Sequence, residues 1–546
     1  MTLARARRFA LLLAVASQLA WAAPYVSAQA GTATVAPRAA RPAAKATARP
    51  TPTAAFDLAA LDREIANARE NWSVPGMAVA IVKDGAVVLA KGYGQRELGK
   101  PGAVDEHTLF AIASNTKAFT AAALAILVDE GKLSWDDRVT SHLPYFELYD
   151  PWVTHEIRVR DLLSHRSGLG TFSGDLLWYG TSYSREEILR RARFLQPTAQ
   201  FRSGYRYNNV MFVAAGEVVA RVSGQPWDAF VKQRIFDPIG MGETLTSVKA
   251  LEGRPNKATP HGPTYGPPRP YPWYPWDGAA AAAGIVSSAS DMAKWLLLQL
   301  GRGTAGPTTV FSDAASRQMW TPHVSFTIDR ATEERFPSTH FRGYGMGWTL
   351  SDYRGRLIVE HGGAYDGMYS QVVLVPEERL GFVVLTNSMT GVGGALKYVV
   401  IDRYLGGGGR DWSGEGLERA RRREAAHAEE LARVARERLQ GTRPSRPLLD
   451  YAGTYPSDLY GTATVTVENG GLVLRLLPNP DLVADLTHWH VDTFHLKWRK
   501  DFPWFADGTA QFVLDARARI TELKLDVPNE DFWFWEPRFL RKEEGR

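Results

Sequence analysis

The 546-residue sequence predicts an α+β fold followed by a small C-terminal β-barrel. Three observations carry this. Strand-like segments stand at both ends of residues 56–405. A long helical stretch lies between them, and a period of two sets in from residue 448. In order, Leu58–Asn71 has the spacing of an amphipathic helix. Met77–Lys83 and Ala86–Gly92 read as strands joined at Asp84-Gly85, a strong hairpin signal. A helix over Ala118–Asp129 stops at Gly131, which suits the position just past a helix end. A mostly helical region, including Val210–Val222, runs to about residue 300. Strands are expected again at Gly347–Asp352, Arg356–Glu360, Ser370–Val375 and Gly381–Thr386. The glycine run Gly406–Gly409, a solvated charged helix over Glu415–Leu439, and Pro444 and Pro447 form a linker over 406–447. Thr462–Val467, a turn at Asn469-Gly470-Gly471, Leu472–Leu477, His490–Trp498, Gln511–Leu514 and Ile520–Leu525 then supply the short strands of a barrel over 448–546.

The first 30 residues have the form of a secretory signal. Arg5, Arg7 and Arg8 precede the apolar run Phe9–Ala22, and Ala28-Gln29-Ala30 is an A-x-A cleavage site. Residues 31–55, rich in Ala, Pro, Thr and Arg, lack the apolar side chains to order themselves and read as a tether. A periplasmic or secreted location is the expectation. No segment has the length of a membrane span, and the absence of cysteine removes disulfides, thiolate metal sites and a cysteine nucleophile. The net charge of +5 misleads, because residues 1–55 hold seven basic residues and no acid, leaving the rest at −2. No basic footprint for nucleic acid remains.

The chemistry concentrates at Ser114-Asn115-Thr116-Lys117. A serine and a lysine three residues apart at a helix start share one face. A serine hydroxyl needs a base to become a nucleophile. A lysine whose pKa is depressed by burial or nearby cations can serve, and the free N–H groups of the helix N-terminus can receive an oxyanion.

Two further elements follow in order: Tyr207-Asn208-Asn209, ahead of a helix, and His361-Gly362-Gly363, after a strand. The order S-x-x-K, Y-x-N, H-x-G resembles the serine β-lactamase and penicillin-recognising superfamily, on the side of the class C β-lactamases, D-aminopeptidases and CubicO-type peptidases and esterases. Val159–Leu169, Asp237–Met241, Ala283–Met292, Tyr344–Trp348 and Leu374–Glu377 match further stretches, so the likeness spans roughly residues 60 to 405. The C-terminal segment resembles the lipocalin-like domain appended to some secreted members. The resemblance implies a β-lactamase/transpeptidase-like antiparallel sheet flanked by helices. It also implies Ser114 as nucleophile and Lys117 and Tyr207 as sharers of the base role. A phenol titrates near pH 10, so Tyr207 is expected to draw on the charge of Lys117 and His361. Which of Lys117 and Tyr207 takes the proton stays open. Tyr205 is the competing tyrosine, but Tyr207 keeps the family spacing to Gly216.

By the same resemblance Asn209 orients Lys117 and holds a substrate carbonyl. His361 orients a carboxylate, a carbonyl or Tyr207, and Gly362 and Gly363 let the strand approach the substrate. The N–H groups of Ser114 and Ala364 form the oxyanion hole. No cofactor or metal is called for. The alternating His488 and His490 are too few for a zinc site. The segment His261–Asp277, with Tyr265, Tyr271, Trp273, Tyr274 and Trp276, is equally an aromatic wall for substrate and a rigid self-packed loop. The expected function is a serine hydrolase cleaving peptide amides, with D-amino-acid peptides included, through an acyl-enzyme. Esters come second. β-Lactams come third, for want of the K-T-G lysine, and a catalytically silent binding or regulatory protein is the alternative of a different class. Because every candidate lies before Gly406, the barrel is expected to be separable from the chemistry.

Overall fold

The computed structural model describes residues 56–542. The expected signal segment and tether lie outside them. In chain order, the elements that position the site begin with helix α1 (Leu58–Asn71) and the hairpin β1 (Gly76–Lys83) and β2 (Ala86–Gly94). The hairpin turns on Asp84 and Gly85, whose φ values of +54° and +83° give the twist a two-residue hairpin needs. Helix α2 (Thr116–Asp129), α3 (Asn209–Ser223), α4 (Ala280–Ala283), α5 (Ala289–Leu300) and the short α6 (Arg330–Arg335) form the helical side. Strands β3 (Val324–Ser325), β4 (Arg342–Tyr344), β5 (Thr349–Tyr353), β6 (Arg356–Tyr365), β7 (Met368–Val375) and β8 (Leu380–Thr386) follow. Then come α7 (Val392–Tyr404) and α8 (Trp412–Arg436).

The first sheet is antiparallel in the order β2-β1-β8-β7-β6-β5-β4-β3. The N-terminal hairpin thus joins strands from the far end of the domain, as an α+β fold with a helical middle requires. Helix α2 is buried on every side from Thr116 to Leu127, the signature of a central core helix. Phe119 stacks on Trp295 of α5 at 3.7 Å between ring centroids. Burying an aromatic ring of this size is worth roughly 1.5–3 kcal/mol. On the other face of the sheet, α1 and α7 cover Met77, Val79, Ile81, Val373, Phe382 and Val384.

A second antiparallel sheet follows: β9 (Gly453–Ser457), β10 (Gly461–Glu468), β11 (Gly471–Leu476), β12 (Val483–His490), β13 (Thr493–Trp498), β14 (Gly508–Leu514), β15 (Ile520–Asp526) and β16 (Phe539–Leu540). It curls into a nearly closed barrel, with the Lys542 N–H donating to Thr454 O of β9 at 2.9 Å.

Three local readings change. The strand expected over His490–Trp498 is two strands, β12 and β13. They turn at Val491, whose φ of +47° is one that a β-branched residue rarely adopts and no sequence pattern announces. Strand β6 does not stop at Glu360 but continues through His361-Gly362-Gly363 to Tyr365. Its glycines serve close approach, since a Cβ on Gly363 would sit 2.2 Å from Ile112 O and 3.0 Å from Ser114 N. The charged helix is more than a solvated spacer. Trp412 at its start is buried against Tyr398, with ring centroids 4.6 Å apart, and Gly416 packs on Trp72.

The barrel is not detached from the catalytic half. One continuous apolar core runs from α2 into the barrel interior. Phe532 packs on Trp178 and Tyr179, and Asn479 donates to Tyr179 O at 2.9 Å.

Candidate active site

Ser114 sits in a single 3-10 turn (Ala113–Asn115) immediately before α2. Ala113 has φ +46° and no exposure. A left-handed non-glycine residue costs about 1–2 kcal/mol, and such strain persists where surrounding structure enforces it. Here Ser370 Oγ donates to Ile112 O at 2.7 Å and accepts from Asn115 Nδ2 at 2.8 Å, so the turn is pinned to β7. Ile285 N donates to Thr116 Oγ1 at 3.1 Å and pins its other side.

Lys117 is wholly buried. Its ammonium donates to Ser114 Oγ at 3.0 Å, Asn209 Oδ1 at 2.7 Å and Ala282 O at 3.1 Å. It also lies 4.6 Å from the centre of the Tyr207 ring. Burial depresses its pKa to about 7, opposed by the nearby Asp175 carboxylate. Asn209 is fixed in turn, its Nδ2 donating to Asp175 Oδ2 at 2.6 Å, while Trp178 Nε1 donates to Asp175 Oδ1 at 3.0 Å. Burial raises the Asp175 pKa well above the usual carboxylate range.

The segment bearing Tyr207 is held by the loop after residue 160. Arg202 N donates to Arg166 O, Arg206 N to His165 O and Phe172 N to Tyr207 O, each at 2.8 Å. Buried Asp161 binds both Arg166 and Arg202, at 2.6 Å in each case. Asn208 caps α3 by accepting from Met211 N. Burial pushes the Tyr207 phenol well above its ordinary value, and only an interaction with the Ser114 side chain draws it down. Burial thus disfavours a tyrosinate at Tyr207 in the resting site and does not supply the charge its expected share in the base role would draw on.

His361 does not supply the expected charge either. Burial, then the neighbouring Lys117, lowers its pKa to about 3. Both of its ring nitrogens are committed. Asn208 N donates to His165 Nδ1 at 3.0 Å, which leaves the proton of neutral His165 on Nε2, 3.2 Å from Tyr344 Oη. Tyr344 then donates to His361 Nε2 at 2.9 Å, and His361 Nδ1–H donates to Gly362 O at 2.6 Å. This one-way chain fixes both tautomers. The His361 and Tyr207 rings lie 6.2 Å apart between centroids, beside each other without a hydrogen bond.

The structure thus brings Ser114, Lys117, Tyr207, Asn209 and His361 together. Gly363 lies against the Ser114 amide, which places Gly362 and Ala364 beside the nucleophile on β6. Sequence reading missed Asp175, His165 and Tyr344. His165 and Tyr344 lay inside recognised segments and carried a signal, whereas Asp175 had none. It also missed the barrel's contribution. Glu536 accepts from Ser173 Oγ and from Gly174 N, at 2.9 Å for the latter. Trp533 meets Gly170, where a Cβ would lie 2.4 Å from the indole. Asp531 is close enough to raise both Tyr207 and Asp175 electrostatically. Its carboxylate has no ion-pair or hydrogen-bond partner among the described residues, and burial, then Glu530, lifts its pKa to about 7.

The aromatic segment turns inward. Trp276 Nε1 donates to Asp366 Oδ2 at 2.7 Å, Tyr274 N donates to Tyr365 Oη at 2.7 Å, and both aromatic side chains are buried. It braces the end of β6. His488 and His490 engage Val491 O and Leu439 N. Among the described residues no group of three or more His, Cys, Asp or Glu could hold a metal.

An antiparallel sheet with a serine backed by a buried lysine at the head of its central helix defines a serine hydrolase of the β-lactamase fold. The sequence profile of the Beta-lactamase family matches residues 61–404, and the chain belongs to that family. Residues 437–544 match a domain of unknown function, DUF3471. An unguisins hydrolase of Aspergillus campestris is 31% identical over 425 residues, covering 72% of this chain and 75% of its own. Penicillin-binding protein 4 of Amycolatopsis lactamdurans is 30% identical over 346 residues, covering 61% of this chain and 86% of its own. Among solved structures, the octameric penicillin-binding protein homologue of Pyrococcus abyssi superposes with a TM-score of 0.58 at 22% identity, over 89% of this chain and all of the other. The D-amino acid amidase of Ochrobactrum anthropi gives 0.52 at 23% identity, over 64% of this chain and 98% of the other.

Proposed function

We propose that this protein is a secreted hydrolase that cleaves peptide amides through an acyl-enzyme on Ser114. The observation that carries this is the buried Lys117 ammonium, 3.0 Å from Ser114 Oγ, with a pKa near 7. A neutral Lys117 takes the Ser114 proton as Oγ attacks the carbonyl carbon. The oxyanion is received by the N–H groups of Ser114 and Ala364. Tyr207, a neutral phenol directed at Ser114, passes a proton to the leaving nitrogen. Lys117 passes that proton on to the Tyr207 oxygen, which leaves both side chains neutral again. Water then attacks the ester as neutral Lys117 takes its proton, and that proton returns to Ser114 Oγ as the acid is released. Asn209 and Asp175 hold Lys117 in place.

Three features support amides over β-lactams. Neutral His361 offers no cation to a penicillin carboxylate. The unpartnered Asp531 carboxylate favours substrates carrying positive charge near the scissile bond, and the fungal relative is named a hydrolase of the unguisins. Esters, whose leaving group needs less help, are the second reading. The test is one purified sample offered D- and L-aminoacyl amides, short peptides, nitrophenyl esters and nitrocefin. Turnover of amides that disappears in Ser114→Ala is expected. Turnover of nitrocefin alone would overturn the substrate class while leaving the nucleophile standing.

A further inference from the structure

On the face of the first sheet opposite Ser114 lies a cavity of about 750 Å³ between α6, α7, α8 and strands β4–β6. Successive residues of a strand point to opposite faces. His361 faces the catalytic lysine, and its neighbour Glu360 faces this cavity. Six cations line it: Arg335, Arg342, Lys397, Arg419, Arg422 and Arg423. Three carboxylates line it too, and each is committed elsewhere. Asp329 caps α6 through Thr332 N, and Asp352 accepts from the backbone of His340 and Phe341. Glu360 binds Lys397 Nζ with both oxygens, at 2.8 and 2.9 Å.

The guanidinium groups are not equally satisfied. Arg422 pairs with Glu418 at 2.9 Å, and Arg419 reaches Glu415 at 3.6 Å, a carboxylate already held by Arg410. Arg335, Arg342 and Arg423 have no carboxylate within ion-pair distance among the described residues. The Arg335 Nε is buried without a hydrogen-bond partner. Burial, then the neighbouring Arg419, lowers the Arg335 pKa from its ordinary value, and Tyr398 and Glu415 offset this only in part. A solvated charged helix face would spread its charges apart. This one folds them into a concavity, where low-dielectric walls concentrate the field. Beside them, Phe336 and Tyr398 stack at 4.8 Å between centroids and give the cavity an aromatic floor.

We infer that this cavity is a second binding site, distinct from the catalytic one, for a small organic molecule bearing two or more phosphate groups. The guanidinium fork matches phosphate oxygens in pairs. Three arginines without a carboxylate at ion-pair distance call for more than one negative charge. A cavity of this volume holds a ligand with a body as well as its anionic groups.

The test is calorimetric titration of the full chain with sodium tripolyphosphate at low ionic strength, with citrate as the polycarboxylate comparison. The probe should bind the wild type. The double variant Arg342→Ser/Arg423→Ser, which breaks no ion pair, should weaken it at least tenfold. Arg221→Ser/Arg436→Ser removes the same charge from exposed sites elsewhere and should bind within twofold of wild type. Labelling of Ser114 by a fluorophosphonate should be unchanged in both variants, which separates this site from the catalytic reading. Equal weakening in the two double variants would reduce the effect to net charge and overturn the site. Absence of tripolyphosphate binding would overturn it as well. Citrate binding as tightly as tripolyphosphate would overturn the phosphate assignment.

Discussion

Replacing Lys117 with methionine separates the lysine's chemical role from its structural burden. Its pKa falls from 10.5 to about 7 on folding. At about 1.4 kcal/mol per tenfold change in proton affinity, that is a penalty of about 5 kcal/mol on the folded state at pH 6 and below. The sign follows from linkage. Between pH 7 and 10.5 the unfolded chain binds the proton that the folded chain has lost, so wild-type stability climbs with pH across that window. Methionine fills similar volume and titrates nowhere. It leaves Asn209 Oδ1 and Ala282 O without a donor, at about 1–3 kcal/mol each. The Met variant should therefore lie between about 3 kcal/mol above and about 1 kcal/mol below wild type in stability at pH 6 yet be inactive. Relative to wild type it should lose about 2.5 kcal/mol between pH 6 and pH 9. Urea unfolding of both proteins at the two pH values measures this, because groups that do not interact with Lys117 cancel in the difference. A stability difference that is the same at pH 6 and pH 9 would refute the depressed pKa and, with it, the lysine as base.

Tyr344→Phe strips the hydroxyl that joins His165 to His361 and should cost about 1–3 kcal/mol. A lowered urea midpoint at unchanged slope would register it, and a midpoint like wild type would deny the relay. Truncation after Leu405 should not yield a soluble, labelling-competent protein, because it uncovers Trp178 and Tyr179 and removes Glu536 from Ser173 and Gly174. Full labelling by a truncated chain of native circular dichroism would show that the barrel is dispensable. EDTA should leave turnover unchanged, since the serine and lysine supply nucleophile and base themselves. Inactivation reversed by zinc would refute this.

Much of the fold was legible because its signals are local. The period-two segments, the Asp84-Gly85 turn and the helix stop at Gly131 each declare themselves within a few residues, and the structure bears them out. The Val491 turn was not legible, because a valine at positive φ is enforced by its surroundings. The same division holds at the site. Ser114, Lys117, Tyr207, Asn209 and His361 stand in recognisable segments. Their electrostatics do not, because burial is set by tertiary packing. That packing pushes the Tyr207 phenol up and the His361 imidazole down. Asp175 was invisible for a like reason, since it reaches Asn209 only through the packing of its loop on α3. The barrel's reach to Gly170 and Ser173 joins residues more than 350 positions apart, and no spacing in the sequence records such a contact.

The central claim is that Ser114 is a nucleophile activated by a lysine titrating near neutrality. It is tested most directly by intact-mass and peptide-mapped measurement of fluorophosphonate acylation across pH 5 to 9, on the wild-type protein and Ser114→Ala. One adduct, mapped to Ser114, should form at a rate that rises with pH through a single limb centred near 7, the value set by Lys117. Wild-type labelling mapped to another residue, or a rate flat across that range, would contradict the account.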